Sequence, residues 1–232
     1  MNGHYAIAID GPSGAGKSTM ARQLAKNFGF IYVDTGAIYR TLGLACYRAG
    51  IDRKDVKAVM ALLPTLEIKI QYNAAGEQCM ILNGEDVSRD IRLPEISVCA
   101  SDVSAHQEVR SFLLDMQRRF ARENNVIMDG RDIGTVVLPD AELKIFLTAS
   151  PEARARRRHK ELLAKGEDVS FEEVLRDMKY RDEQDSTRAA APLKKAEDAV
   201  EVDSSDLNFE ETIGLLSELV IRRFALEPEE KA

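Results

Sequence analysis

The sequence of 232 residues is short of several things, and each shortage closes off a class of function. Cysteine occurs only at Cys46, Cys79 and Cys99, with no C-x-x-C pair. An odd, scattered set suits small buried side chains in a reducing compartment, not a disulfide or metal framework. Histidine is equally sparse, and His4, His106 and His159 sit in no nucleophile or metal-ligand pattern, so they are expected at the surface. No apolar run reaches eighteen residues and no basic segment leads into a long apolar stretch at the start. No contact with a membrane is therefore expected, and a cytoplasmic location is. Positive charge is not in excess either: 32 Lys+Arg stand against 39 Asp+Glu, a net charge of −7. That balance disfavours a general nucleic-acid binder, which needs a broad basic surface. Internal repeats and low-complexity segments are absent. No Asn is followed by Lys, so the N-K-x-D signature of guanine-nucleotide switches is missing.

Hydrophobic residues at 44% and charged residues at 31% allow a substantial core, and the length suits an α/β domain with an insertion. The most specific local signal is GPSGAGKS, Gly11 to Ser18, which fits G-x-x-x-x-G-K-[ST]. Its context fits too. An apolar, partly β-branched run (Tyr5 to Ile9) precedes it, and Met20, Leu24 and Phe28 follow at helical spacing. In such a loop, Gly11, Pro12, Ser13, Gly14, Ala15, Gly16, Lys17, Ser18 and Thr19 turn main-chain N–H groups into one concavity. The positive end of the following helix adds to the field, and a polyphosphate is the expected occupant. Lys17 is expected to reach the β- and γ-phosphates, and the Ser18 hydroxyl to take a position on Mg²⁺.

Four further strands are predicted at Phe30 to Val33, Val126 to Met128, Leu143 to Leu147 and Ala199 to Val202, most separated by helical pattern. The alternation predicts a parallel sheet with helices on both faces. Ligands of such sheets gather at the carboxyl ends of the strands. Gly11 to Thr19, Asp34 to Thr35, Asp129 to Asp132 and the residues from Ser150 onward should then converge. The rhythm breaks between Leu66 and Val87, where LEIKIQY alternates, Asn73 to Glu77 supply a turn, and Asn83-Gly84 is a hairpin pair. A small antiparallel sheet is expected there. Ser104 and Gln107 read as a capping box opening a helix with an apolar stripe of Val109, Phe112, Leu113, Met116 and Phe120. The last helix places Phe209, Ile213, Leu216 and Val220 inward, and residues 227–232 read as a frayed tail.

Asp129 closes an apolar run, where phosphate-loop proteins place an acid that touches Mg²⁺ directly or through water; forming the turn before Gly130 is an equally simple use of it. In PEARARRRHK, helical spacing puts Arg154, Arg157 and Arg158 on a shared face. Such a run is either a solvated face or a lid that closes over phosphates. Arg181, Asp185 and Arg188 fall at i, i+4 and i+7 of a further helix. With Arg40 and Arg131 they exceed what one triphosphate needs, which suggests a second, acceptor phosphate gripped by planar forks.

The ordered set GPSGAGKST, DTGAIYR (Asp34 to Arg40), DGRDIGTVVLPDA (Asp129 to Ala141), KIFLTAS and RDEQDSTRAAAPL (Arg181 to Leu193) resembles the bacterial cytidylate kinase family over nearly the whole length. The resemblance implies a P-loop kinase fold with a five-stranded parallel sheet flanked by helices. Residues 1–36 and 104–226 would form the core, with a short lid at about 151–168. Residues 37–103 would form the monophosphate-binding region, carrying the antiparallel insert at about 66–87. It also implies ATP as donor, bound by Gly11 to Thr19, CMP or dCMP as acceptor, and Mg²⁺ as metal. Carried over, Ser101, Arg110 and Asp132 face the cytosine and Asp185 with Arg181 faces the sugar. Arg40, Arg131 and Arg188 then hold the acceptor phosphate. Thr35 stands where some members have serine, and Ser18 where some have glycine. Lys17, Arg131, Arg188 and Arg157 are the expected catalytic cations, Ser18 and Asp129 the metal-facing residues, and a monomer is the expected state.

The residue types suit that chemistry. Cytosine offers an amino donor beside two acceptors, matching a carboxylate and an arginine. A phosphate monoester is largely ionised near pH 7, so no general base is needed.

Overall fold

The computed structural model describes residues 4–228. The chain forms two compact units, one running to Tyr32 and resuming at Phe120, the other Val33–Arg119.

The first unit is built on a five-stranded sheet of order β2-β6-β1-β7-β8, with β1 (Ala6–Asp10), β2 (Ile31–Asp34), β6 (Val126–Gly130), β7 (Leu143–Thr148) and β8 (Val200–Asp203). β1 runs parallel to both β6 and β7, and β7 to β8. Every residue of β1 is buried, as parallel strands covered on both faces require. All five strands lie within one residue of the expected start, and the alternation of strand and helix produces the expected architecture. Against the sheet pack α1 (Lys17–Phe28) and α8 (Phe209–Phe224). Met20, Leu24 and Phe28 of the former and Ile213, Leu216 and Val220 of the latter join Ile7, Ile9 and Ile145 in one core, while Phe209, expected inward with them, is exposed at the first position of α8. α8 starts at a capping box between Asn208 and Glu211. Of the tail expected at 227–232, residues 229–232 lie outside the described residues, while Leu226 just before it packs on this core.

After β7 the chain makes a helical hairpin, α6 (Pro151–Ala164) and α7 (Phe171–Thr187), with a small core of its own from Ala155, Leu162 and Val174. Ser150 and Ser170 cap the two helices. Arg188 is the residue that follows α7, with extended ψ of 140°. The expected single face through Arg181, Asp185 and Arg188 therefore breaks at its last member, because the helix stops one residue short of it.

The second unit contains α2 (Thr35–Arg48), α3 (Val56–Leu62), an antiparallel sheet of β3 (Ile68–Tyr72), β4 (Gln78–Leu82) and β5 (Glu85–Asp86), α4 (Pro94–Ser104) and most of α5 (Gln107–Glu123). The insert has the expected register, Ile68 opposite Leu82, with Asn83 and Gly84 both at positive φ in the turn. Two expectations fail here. Ser104 does not cap α5: it ends α4, and its hydroxyl is spent on the Ser101 carbonyl. Phe112 is 47% exposed, because α5 turns Val109, Arg110, Leu113 and Gln117 inward instead. Val109 and Leu113 pack with α2 and α4, so α5 up to Arg119 belongs with this unit and not with the core as expected from residue 104 on.

Candidate active site

The first unit gathers its polar side chains at the carboxyl ends of β1 and β6. The loop after β1 is held against the sheet so closely that a Cβ on Gly11 would lie 1.9 Å from the Leu147 carbonyl oxygen of β7. Gly11 also has φ of +147°, an angle that side chains rarely adopt, so glycine is required there on both counts. Gly16, at φ 90°, precedes α1 without a side-chain cap, leaving the first N–H groups of the helix for an anion. Lys17 opens α1 fully within the protein and donates from Nζ to the Pro12 carbonyl at 2.7 Å. Burial, reinforced by the Arg131 guanidinium, lowers its pKa to about 7, against the pull of Asp129, Asp10 and Asp185.

Asp129 is the last buried residue of β6. One carboxylate oxygen accepts from the Ser18 hydroxyl and the other from the Tyr32 hydroxyl, both at 2.8 Å. A hydroxyl and a carboxylate oxygen so placed are hard donors of the kind Mg²⁺ takes. Among the described residues no group of three or more His, Cys, Asp or Glu could hold an ion. The protein thus offers a partial oxygen set, which fits a metal that arrives with phosphate oxygens and water.

Beyond Asp129, Gly130 leads to Arg131 and Asp132, then to a single π turn over Ile133–Val137, closed by Val137 N–H to the Asp132 carbonyl at 3.1 Å. Such turns are common at functional sites. Asp10, unremarked in the sequence, holds this segment: its two oxygens accept from the Ile133 and Gly134 N–H groups at 2.8 and 2.7 Å. Burial raises its pKa to about 6, despite those two hydrogen bonds.

Two arginines and two carboxylates interlock next. Arg131 Nε donates to Asp185 Oδ2 at 2.6 Å, and Arg188 Nη2 approaches Asp132 Oδ1 at 3.4 Å. Asp132 is 5% exposed and is paired with Arg188. Arg181 is exposed on α7. The arginine run of α6 divides. Arg154 is buried and bonded, Arg157 donates to the hydroxyl and carbonyl of Ser204, and Arg158 pairs with Glu161. Arg157 is thus tied to the loop after β8.

In the second unit, Asp34 caps α2 through the Ala37 N–H and takes Arg40 Nη2 at 2.7 Å, while Arg40 Nε is buried with no partner. Gln78 of β4 grips the backbone of Asp34, accepting from its N–H at 2.7 Å and donating to its carbonyl at 3.3 Å. Thr35, next to it, is buried. Ser101 and Arg110 meet at one turn: the Ser101 carbonyl takes the Ser104 hydroxyl, and Arg110 Nη1 donates to the Ser104 carbonyl at 3.2 Å while lying over the Tyr39 ring. His106 and His159 each bond a backbone carbonyl.

The family model for cytidylate kinase matches residues 7–222. The chain belongs to the cytidylate kinase family. It is 51% identical to the cytidylate kinase of Carboxydothermus hydrogenoformans, over 94% of this chain and 97% of the relative. It is 50% identical to that of Geobacter sp. strain M21, over 94% of both. Among solved structures, an uncharacterized protein from Eubacterium ventriosum ATCC 27560 aligns with TM-score 0.51 at 13% identity, covering 95% of this chain and 100% of the other. That likeness concerns the fold alone. Members of the cytidylate kinase family are ATP-dependent nucleoside monophosphate kinases, so the resemblance seen in the GRD and RDEQDSTR motifs is borne out. No helix of the described residues is long and apolar enough to cross a membrane.

Proposed function

We propose that the protein transfers the γ-phosphate of ATP to CMP or dCMP, giving CDP or dCDP, by in-line displacement. The reading rests on one juxtaposition: a phosphate loop carrying buried Lys17 shares a unit with the interlocked Arg131, Asp185, Asp132 and Arg188. A lone triphosphate site needs no second cluster of forked cations.

In this reading Gly11 to Thr19 bind ATP, and Lys17 offsets charge on the β- and γ-phosphates. Ser18 and Asp129 would hold Mg²⁺, which would supply positive charge to offset that of the phosphates. Arg131, Arg188 and Arg40 take the acceptor phosphate, each fork matching two oxygens. Asp185 and Arg181 meet the sugar. Asp132, Arg110 and Ser101 read the cytosine. Arg157 joins the phosphates after leaving Ser204. The acceptor oxygen is already ionised near pH 7, so alignment and charge neutralisation carry the rate. One chain supplies every residue in this account, so a monomer in the cytoplasm suffices.

The test is a phosphoryl-transfer assay with ATP and a panel of nucleoside monophosphates. CMP and dCMP should be the best acceptors, and Lys17→Ala should lower turnover by at least about a thousandfold with the fold retained. Preference for a purine monophosphate or a sugar would overturn the acceptor assignment, and near-normal turnover of Lys17→Ala the donor one.

A further inference from the structure

The first arginine of the α6 run does something other than face a ligand. Arg154 is 2% exposed, and all three nitrogens of its guanidinium donate to protein acceptors. Nε donates to the Ala149 carbonyl at 2.8 Å, Nη1 to the Ser13 carbonyl at 2.8 Å, and the Nη1 and Nη2 groups grip Asp182 of α7 at 3.0 and 2.5 Å. It is thus joined at once to the end of β7, the phosphate loop and α7. The loop also packs directly on this hairpin: a Cβ on Gly14 would lie 2.8 Å from Met178 Cε and 3.5 Å from Arg154 Cβ.

Three residues after Asp182, on the same helix, Asp185 holds Arg131, and Arg188 leaves the helix end toward Asp132. We propose that Arg154 and Asp182 are positioning residues, a strut that couples the donor loop to α7 so that filling the loop sets Arg131 and Arg188 for the acceptor. This rests on the assignment of those two arginines to the acceptor phosphate. The Ser13 carbonyl lies in the loop proposed to receive the triphosphate, so any adjustment there is felt at Arg154. Arg154 passes that adjustment to α7 through a pair in which one partner is wholly buried. Breaking such a pair leaves an uncompensated charge, so the connection is stiff. It follows that closure of the hairpin, where it occurs, begins beyond Arg154. Four of the five N–H groups of Arg154 are given to protein acceptors, so its part is to brace the loop and α7.

Coupling between two sites is measurable as the factor by which one ligand tightens the other. CMP is titrated calorimetrically into the wild-type protein, Asp182→Asn and Arg154→Lys, each with and without a methylene-bridged, non-hydrolysable ATP analogue. In the wild type the analogue should tighten CMP at least fivefold. In Asp182→Asn that factor should fall below twofold, while each nucleotide alone binds within about threefold of wild type. Arg154→Lys keeps the charge but not the fork and should behave alike. The proposal is overturned if the wild type shows no coupling, if either folded variant keeps the wild-type factor, or if both variants fail to fold, which would leave the pair a fold requirement alone. Arg188→Met separates the two ideas. It should lose CMP binding without the analogue, and if it binds CMP normally the acceptor assignment fails, whatever the strut does.

Discussion

Ser18 and Tyr32 hold the two oxygens of one buried carboxylate: each donates its hydroxyl to Asp129 at 2.8 Å. The hydroxyl that touches Asp129 is also the one proposed to face a metal, and the two uses predict different things.

If Ser18 faces Mg²⁺, Ser18→Ala should weaken ATP binding several-fold with Mg²⁺ present and leave metal-free ATP binding within about twofold. Titrations of both forms, with Mg²⁺ and with a chelator, give the answer. Equal weakening in both would make Ser18 only an Asp129 or phosphate partner.

Asp10 makes a prediction with a definite sign. Burial raises its pKa to about 6 in the folded protein from 3.8, so between those values the folded state binds the extra proton. Its contribution to stability is present below pH 3.8 and is lost as pH rises through about 6. Two units correspond to roughly 3 kcal/mol at most. Asp10→Asn does not titrate. Its stability relative to wild type, from urea unfolding at several pH values, should thus improve as pH goes from 4 to 7. A flat difference would mean that the folded carboxylate is ionised throughout.

Particular residues explain what the sequence made legible. Strand ends and the phosphate loop are written in local pattern, and so are the hairpin at Asn83-Gly84 and the spacing of Met20, Leu24 and Phe28. Asp10 was passed over because its partners, Ile133 and Gly134, lie 123 and 124 positions away. Gln78 was missed for the same reason, its partner Asp34 being 44 positions distant. Arg154 and Arg157 share a helix face as spacing predicts, but spacing does not say what that face meets: Asp182 and the phosphate loop for one, Ser204 for the other. α4 was absorbed into the approach to α5, since a serine ending one helix and a serine opening the next have the same local signature.

Gln78 gives the antiparallel insert a task that can be checked. Its amide braces the backbone of Asp34, which caps α2 and holds Arg40. Gln78→Ala should cost about 1 kcal/mol of stability from the lost hydrogen bonds. It should raise KM for CMP about three- to tenfold with KM for ATP unchanged. Equal shifts in both KM values would mean that the insert supports the fold in general and not the acceptor side.

Asp132 is the residue on which acceptor choice should turn. It is buried, it stands at the start of the π turn, and Arg188 approaches it at 3.4 Å. Cytosine presents an amino group where uracil presents an oxygen. A buried carboxylate facing that oxygen is unpaired, at a cost of about 1 to 3 kcal/mol. Asp132→Ala should lower kcat/KM for CMP about a hundredfold while KM for ATP changes less than threefold. Asp132→Asn, whose amide can turn a donor toward the uracil oxygen, should narrow the CMP to UMP ratio of kcat/KM by an order of magnitude or more. A ratio unchanged in Asp132→Asn, measured with both acceptors at subsaturating concentration, would move base reading to Arg110 and Ser101.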